Sequence, residues 1–245
     1  MKHEKLLKTI LKKTTYSGSL KPKQRHISAS SFNLEPMQLY LRYQHGDISK
    51  EDNFNESTLG SIFQLGIDSI LSENNQFKYA IRREITLGNN WSVSGEIDAS
   101  DEDNKYIYDF KLLNQRGYDN SIKKQSYISN MSIYKYLFQD YNEFFLFAIN
   151  KQGKSIKSPI YSIIDVTDKL WSWHDTEQKL LDITNNIEYW IKDPDSIPEC
   201  NIWEYGKDKH KRPAKCSMYC SWNQVCPTFQ SRDKASNYHV LKNLL

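Results

Sequence analysis

Gly95-Glu96-Ile97-Asp98-Ala99-Ser100, an acidic run Asp101-Glu102-Asp103-Asn104, and then Lys105-Tyr106-Ile107-Tyr108-Asp109-Phe110-Lys111-Leu112 decide the reading of this chain. The first segment continues an alternating stretch, Trp91 to Ala99, and the last is apolar with one acid and one lysine set into it. Both read as strands, and the acidic run between them reads as their turn. Residues two apart on a strand share a face, so Asp109 and Lys111 point the same way, and Glu96 shares a face with Asp98. If the two strands pair as a hairpin, Asp98 and Asp109 become neighbours, with the Lys111 ammonium beside them.

That set of groups suits phosphodiester hydrolysis. Hard divalent cations such as Mg2+ or Mn2+ prefer oxygen ligands and keep several waters. Two carboxylates can hold such an ion, and it lowers the pKa of water and neutralises charge on the phosphate. A lysine beside it orients the nucleophile or stabilises the oxyanion. Acid-x-Lys occurs three times, at Asp103–Lys105, Asp109–Lys111 and Glu177–Lys179. Only Asp109–Lys111 sits inside an apolar strand that follows a strand carrying an acid.

Outward from this hairpin, residues 57–73 carry Leu59, Ile62, Phe63, Ile67, Ile70 and Leu71 at helical spacing, with Ser57 or Thr58 as N-cap. Residues 79–87 form a strand ending at the turn Gly88-Asn89-Asn90. A helix follows over 121–138, capped by Asp119, Asn120 or Ser121. Strands follow over 143–150 and 156–166, then a helix over 168–191. A meander joined to a helical crossover gives an α/β fold, a mixed central sheet flanked by helices. Residues 2–13 read as a short helix and 14–30 as a loop. The chain of 245 residues divides into a basic arm (1–27), a core (28–195) and a cysteine-bearing tail (196–245).

Charge is unevenly spread. Residues 1–27 hold eight Lys/Arg against one acid, residues 203–215 five against two, and residues 92–109 six acids against one lysine. Basic flanks around an acidic centre suit a protein that grips phosphates and holds cations, though a lysine-rich solvated surface has the same composition. No apolar run approaches the roughly 20 residues that span a bilayer, which excludes a membrane helix. The apolar start is broken by Lys8, Lys12 and Lys13, so a cytoplasmic protein is expected.

Four cysteines fall in the tail, as Cys200-x15-Cys216-x3-Cys220-x5-Cys226. In a cytoplasmic chain this favours metal ligation over disulfides. Four thiolates suit an iron–sulphur cluster or Zn2+, and four unligated buried cysteines are the bland alternative.

Gly95-Glu96-Ile97-Asp98 followed by Tyr108-Asp109-Phe110-Lys111 resembles the second and third motifs of the PD-(D/E)XK nuclease superfamily, in its RecB-type exonuclease branch with a C-terminal cysteine cluster. Asn130-Met131-Ser132-Ile133-Tyr134 resembles that branch's Gln-x-x-x-Tyr helix. Gly60-Ser61-Ile62-Phe63 resembles its Gly-x-x-His helix, and Ser28-Ala29-Ser30-Ser31 the serine-rich approach to it. The resemblance implies a metal-dependent deoxyribonuclease, an exonuclease acting on DNA ends or single strands in recombination, repair or replication, with proteins of those processes as partners. It implies catalytic roles for Asp98, Asp109, Lys111, Asn130 and Tyr134. It also implies metal ligation by Asp98, Asp109, the Phe110 carbonyl and Glu96, and a [4Fe-4S] cluster (or Zn2+) on the four cysteines. Phe63 stands where the pattern has a metal-binding His, which leaves Glu96 or Glu84 to compensate, and Asn130 replaces Gln. A DNA-binding subunit that has lost chemistry, a structural or interaction protein organised around a zinc site with the acidic hairpin incidental, and a nuclease of CRISPR spacer acquisition are the alternatives.

Overall fold

The computed structural model describes residues 20–48, 56–73, 76–119, 124–151, 161–198, 200, 220–222 and 224–227, with residues 56–61 as backbone. The expected helix over 2–13, the basic run 203–215 and Cys216 lie outside the described residues. The chain divides into two compact units, one from His26–Asn33 and Asp52–Leu181, the other from Tyr16–Arg25, Leu34–Glu51 and Asp182–Leu245.

The first unit carries a six-stranded mixed sheet flanked by helices. Its strands are β1 (His26–Ser28), β2 (Phe77–Thr86), β3 (Ser92–Asp101), β4 (Tyr106–Leu113), β5 (Glu143–Asn150) and β6 (Tyr161–Asp165). The helices, in chain order through both units, are α1 (Pro36–His45), α2 (Glu56–Leu71), α3 (Gln115–Asp119), α4 (Gln125–Leu137) and α5 (Trp173–Lys192). β2, β3 and β4 form the antiparallel meander expected from the sequence, α3 and α4 cross over to a parallel β5, and β6 returns antiparallel.

Local chemistry sets these boundaries. At the β2–β3 turn Asn90 takes the left-handed conformation (φ 63°), and the Leu87 amide closes the turn on the Trp91 carbonyl at 2.6 Å. At the β3–β4 turn one carboxylate, Asp101, accepts from the amides of Asp103 (3.1 Å) and Asn104 (3.0 Å), so the acidic run organises itself around its own backbone.

The core lies on one face of the sheet. Val93, Ile97, Ile107, Phe144, Leu146 and Ala148 are buried there, as are Met131, Ile133 and Leu137 of α4. α4 also buries Ser129 and Ser132, whose hydroxyls donate back to the carbonyls of Gln125 (2.9 Å) and Ile128 (2.7 Å). A helix can be buried nearly all round only if such polar groups are satisfied internally.

Several elements differ from expectation, and α1 and α3 have no counterpart in the expected helices. β1 and its following 3-10 turn lie within the stretch read as loop, too short for periodicity to register. α4 starts at Gln125 with Lys124 as N-cap, which makes no side-chain capping bond. The cap candidate Asp119 instead ends α3, where it accepts from Gln115 at 2.7 Å, and the candidates Asn120 and Ser121 lie outside the described residues. α5 begins at Trp173, after a 3-10 turn Thr167–Lys169.

In the second unit α1 ends at Gly46 (φ 74°), where a Cβ would fall 2.3 Å from the Leu20 carbonyl oxygen. Only glycine fits both constraints. Buried Arg42 pairs with half-buried Asp47 at 2.7 Å, and Asp47 also accepts from the Leu20 amide at 3.0 Å. The Trp222 indole donates to the Gly46 carbonyl at 3.0 Å, tying the cysteine-bearing tail to the end of α1. No described helix is long and apolar enough to cross a membrane.

Candidate active site

β2 pairs with β3 along its whole length, from Phe77↔Asp101 to Thr86↔Ser92, and so fills one edge of β3. The other edge is shared. β1 pairs with it at residues 92–94 and β4 at residues 99–101. Between them, on this edge, Gly95 to Asp98 pair with no described strand, and β3 and β4 diverge. One more step of the β3–β4 register would set Asp98 opposite Asp109. In place of that ladder step, the Phe110 amide donates to Asp98 Oδ2 at 2.6 Å. The N–H and C=O of one strand residue point to the same edge, so the Phe110 carbonyl is also directed toward the gap.

The pleat reverses at the same place. Strict alternation would put Phe77 and Arg83 on one face, six residues apart. Phe77 instead packs on Tyr108 of β4, ring centroids 6.4 Å apart. Arg83 reaches the opposite face, where it donates to the Leu137 carbonyl at 3.4 Å and pairs with Asp140 just beyond α4. Tyr108 alternates with Asp109 and Lys111, and the Lys111 ammonium lies over Tyr127 of α4. Ala80, with φ 50°, marks the reversal on β2. Ala80 and Asp98 both drop out of the register between Tyr79↔Ala99 and Ile81↔Ile97. The reversal brings Asp98 to the α4 side, with Asp109 and Lys111. It also corrects the expectation that Glu96 shares a face with Asp98. Glu96 alternates with Gly95 and Ile97 before the reversal, lies exposed, and stands opposite Arg82.

Asp109 is 2% exposed, and Lys111 Nζ lies 2.6 Å from its Oδ2. This ion pair is the contact that Oδ2 makes, and the oxygen is buried with no other donor among the described residues. Burial and the Asp109 charge push the Asp98 carboxyl up to about 7, against the pull of Lys111 and the Phe110 amide. Burial opposes the Lys111 charge, but Asp109 and Asp98 outweigh it and raise its pKa. Burial, then Asp109 and Asp98, hold the Tyr134 phenol well above its ordinary range. A carboxyl raised by a neighbouring acid, beside a buried carboxylate whose charge a single lysine meets, fits a divalent cation. The donors are all oxygen, as a hard ion prefers. Among the described residues no group of three or more His, Cys, Asp and Glu side chains is gathered for a metal. The oxygens brought to the gap are those of two carboxylates and the directed Phe110 carbonyl.

Tyr134 reaches the cluster because Gly95 lets it. A Cβ at Gly95 would fall 2.9 Å from the Tyr134 ring and 2.8 Å from Leu137. Asn130 is placed elsewhere. Its carboxamide lies 2.8 Å from that of Asn33, with its nitrogen turned toward the carbonyls of Ala29 (2.9 Å) and Ser126 (3.2 Å). It fastens α4 to the turn after β1, where Ser28 and Ser31 cap one another. Phe63 is half-buried on α2, and Glu84 is exposed beside Arg82 at 3.9 Å. Cys220 and Cys226 are buried and Cys200 half-buried.

The sequence reading missed Tyr127, Lys124 and Asp68. Tyr127 lies beneath Lys111, Lys124 lies over Tyr127, and Asp68 of α2 adds to the upward pressure on Asp98. Tyr127 and Tyr134 are seven residues apart on one helix, and that spacing was the available signal. Asp68 had none, since it occupies an ordinary polar position of an amphipathic helix.

No protein-family model matches the sequence, and no curated protein is significantly similar to it. Among solved structures, the crystal structure of SSO0001 aligns with a TM-score of 0.59 at 18% identity, covering 93% of this chain and 96% of that one. The alkaline exonuclease LHK-Exo from Laribacter hongkongensis aligns at 0.46 with 14% identity, over 71% of this chain and 95% of its own. A phage-related exonuclease from Haemophilus somnus aligns at 0.36 with 12% identity, over 73% and 97%. The likeness to SSO0001 is one of fold, and the two weaker alignments are too slight to bear on chemistry.

Proposed function

We propose that this chain is a divalent-metal-dependent DNA nuclease of the PD-(D/E)XK type, acting as an exonuclease on ends or single strands in recombination, repair or replication. The observation that carries this is the gathering of Asp98, Asp109 and Lys111 at the gap between β3 and β4, with Asp109 buried and paired to Lys111 at 2.6 Å.

Asp98, Asp109 and the Phe110 carbonyl would hold Mg2+ or Mn2+, with water completing the shell. Glu96 is the weaker ligand candidate, being exposed beyond the pleat reversal. The chemistry such an ion supplies is acidification of water and neutralisation of charge on the phosphate. Lys111 stays protonated and donates toward the attacking water or a phosphate oxygen. Tyr134 stays protonated at any working pH and can only donate from its hydroxyl when it meets an anion. Asn130 positions α4, and thereby Tyr134, rather than meeting the substrate. Cys200, Cys216, Cys220 and Cys226 would hold a [4Fe-4S] cluster, or Zn2+, as a structural staple of the tail.

The test is hydrolysis of end-labelled linear and of circular DNA with Mg2+ or Mn2+. Release of nucleotides from linear but not circular DNA supports an exonuclease. Binding of DNA without cleavage under any metal would support the subunit that has lost chemistry. A brown colour that bleaches on reduction would mark iron and sulphur, whereas a colourless tail with bound metal would mark zinc.

A further inference from the structure

α4 begins near the Asp109–Lys111 pair of β4, and its N-cap residue, Lys124, carries a charge that no described residue matches. Residues 120–139 contain Lys123, Lys124 and Lys135 and no acid. Lys124 is exposed and makes no ion pair with any described residue. Its ammonium instead lies over the Tyr127 ring, 4.7 Å from the centroid and 3.4 Å from the hydroxyl. The same ring lies 5.8 Å from the Lys111 ammonium. One half-buried tyrosine thus sets two lysines, one at the buried acids and one at the surface. Cation–π contact holds a lysine in place without cancelling its charge, unlike a carboxylate.

We propose that Lys124 and Tyr127 form a phosphate subsite, which binds the backbone phosphate adjoining the scissile one on a single nucleic-acid strand. This rests on the nuclease reading of the Asp98–Asp109–Lys111 cluster and extends it outward along the strand. Tyr127 acts as a positioning residue, and Lys124 makes the contact. A phosphate contact strengthens binding regardless of base and releases a counterion.

The experiment measures equilibrium binding of a fluorescent single-stranded deoxyoligonucleotide by anisotropy, in chelator to prevent turnover, at several salt concentrations. Wild type is compared with Lys124→Gln, Tyr127→Phe, Tyr127→Leu and a charge-matched control, Lys135→Gln, about three turns along α4. Lys124→Gln is expected to weaken binding at least about threefold and to lower the salt slope by about 0.7, as loss of one phosphate contact requires. Tyr127→Phe keeps the ring and binds like wild type, whereas Tyr127→Leu binds like Lys124→Gln. Lys135→Gln changes neither quantity. In cleavage assays Lys124→Gln raises KM by more than it lowers kcat. Unchanged affinity and slope in Lys124→Gln, in a wild type that binds and cuts DNA, overturns the subsite alone. A wild type that neither binds nor cuts DNA overturns the subsite together with the nuclease reading. Circular dichroism identifies a misfolded Tyr127→Leu, in which case Lys124→Gln, at an exposed position, decides.

Discussion

The amide of Phe110 donates to Oδ2 of Asp98 over 2.6 Å, replacing a ladder step that β3 and β4 no longer make. This bond holds the first carboxylate at the mouth of the gap while the second, Asp109, follows from the next strand. The two acids meet because both strands stop pairing there, and because the pleat reverses at Ala80 and Asp98.

The charge state of Asp98 makes stability of the metal-free protein pH-dependent. Its carboxyl is raised to about 7 in the fold, from 3.8. A raised acid contributes stability that is complete below the unfolded value and is lost as pH rises through the folded one. The metal-free protein therefore melts at a lower temperature at pH 8 than at pH 5.5, as far as this group decides. Added Mn2+ binds the ionised form, so its stabilising shift in Tm should be larger at pH 8 than at pH 5.5. Thermal melts with and without Mn2+ at the two pH values check this, and a shift that shrinks as pH rises contradicts it.

Asp98→Asn imitates the neutral acid and keeps an acceptor for the Phe110 amide. At pH 8 without metal it should melt above wild type, yet gain nothing from Mn2+ and lose cleavage by about a hundredfold or more. Equal Mn2+ stabilisation of variant and wild type would remove Asp98 from the metal site.

Gly95→Ala places a methyl group against Tyr134 and Leu137. The overpacking should cost about 1–3 kcal/mol in denaturant unfolding. It should also lower kcat, because Tyr134 must withdraw from the acids. A variant as stable and active as wild type would mean that α4 shifts without consequence.

Asn130→Ala separates support from catalysis. Loss of its bonds to Ala29 and Ser126 should cost about 1 kcal/mol of stability. Mn2+ affinity, measured by calorimetry, should stay within about twofold of wild type at this position with no ligand atom. A collapse of metal affinity with unchanged stability would return Asn130 to the reacting centre.

Much of this was legible in the sequence. The hairpin of β3 and β4, the shared face of Asp109 and Lys111, and β5 at Glu143–Asn150 follow from alternation and turn residues alone. The expected mixed sheet is present, because a meander followed by a helical crossover leaves few other arrangements. The pleat reversal was not legible, since nothing marks Ala80 for a left-handed conformation that alanine rarely takes. Strict alternation therefore placed Glu96 beside Asp98. β1 escaped notice because three residues show no period, and its parallel pairing with β3 is a long-range contact. Asn130 was read by its resemblance to a motif, whereas its partners Ala29 and Asn33 lie about a hundred residues earlier, where no local pattern could announce them.

In the proposed nuclease, Asp98, Asp109 and Lys111 form one metal-dependent phosphodiester-cleaving site. Single-turnover cleavage of end-labelled single-stranded DNA, with Mg2+ titrated into wild type and Asp109→Asn, tests it most directly. Wild type is expected to show saturable Mg2+-dependent cleavage, and the variant a rate at least about a hundredfold lower at every concentration. Equal rates, or cleavage that persists in excess chelator, would contradict it.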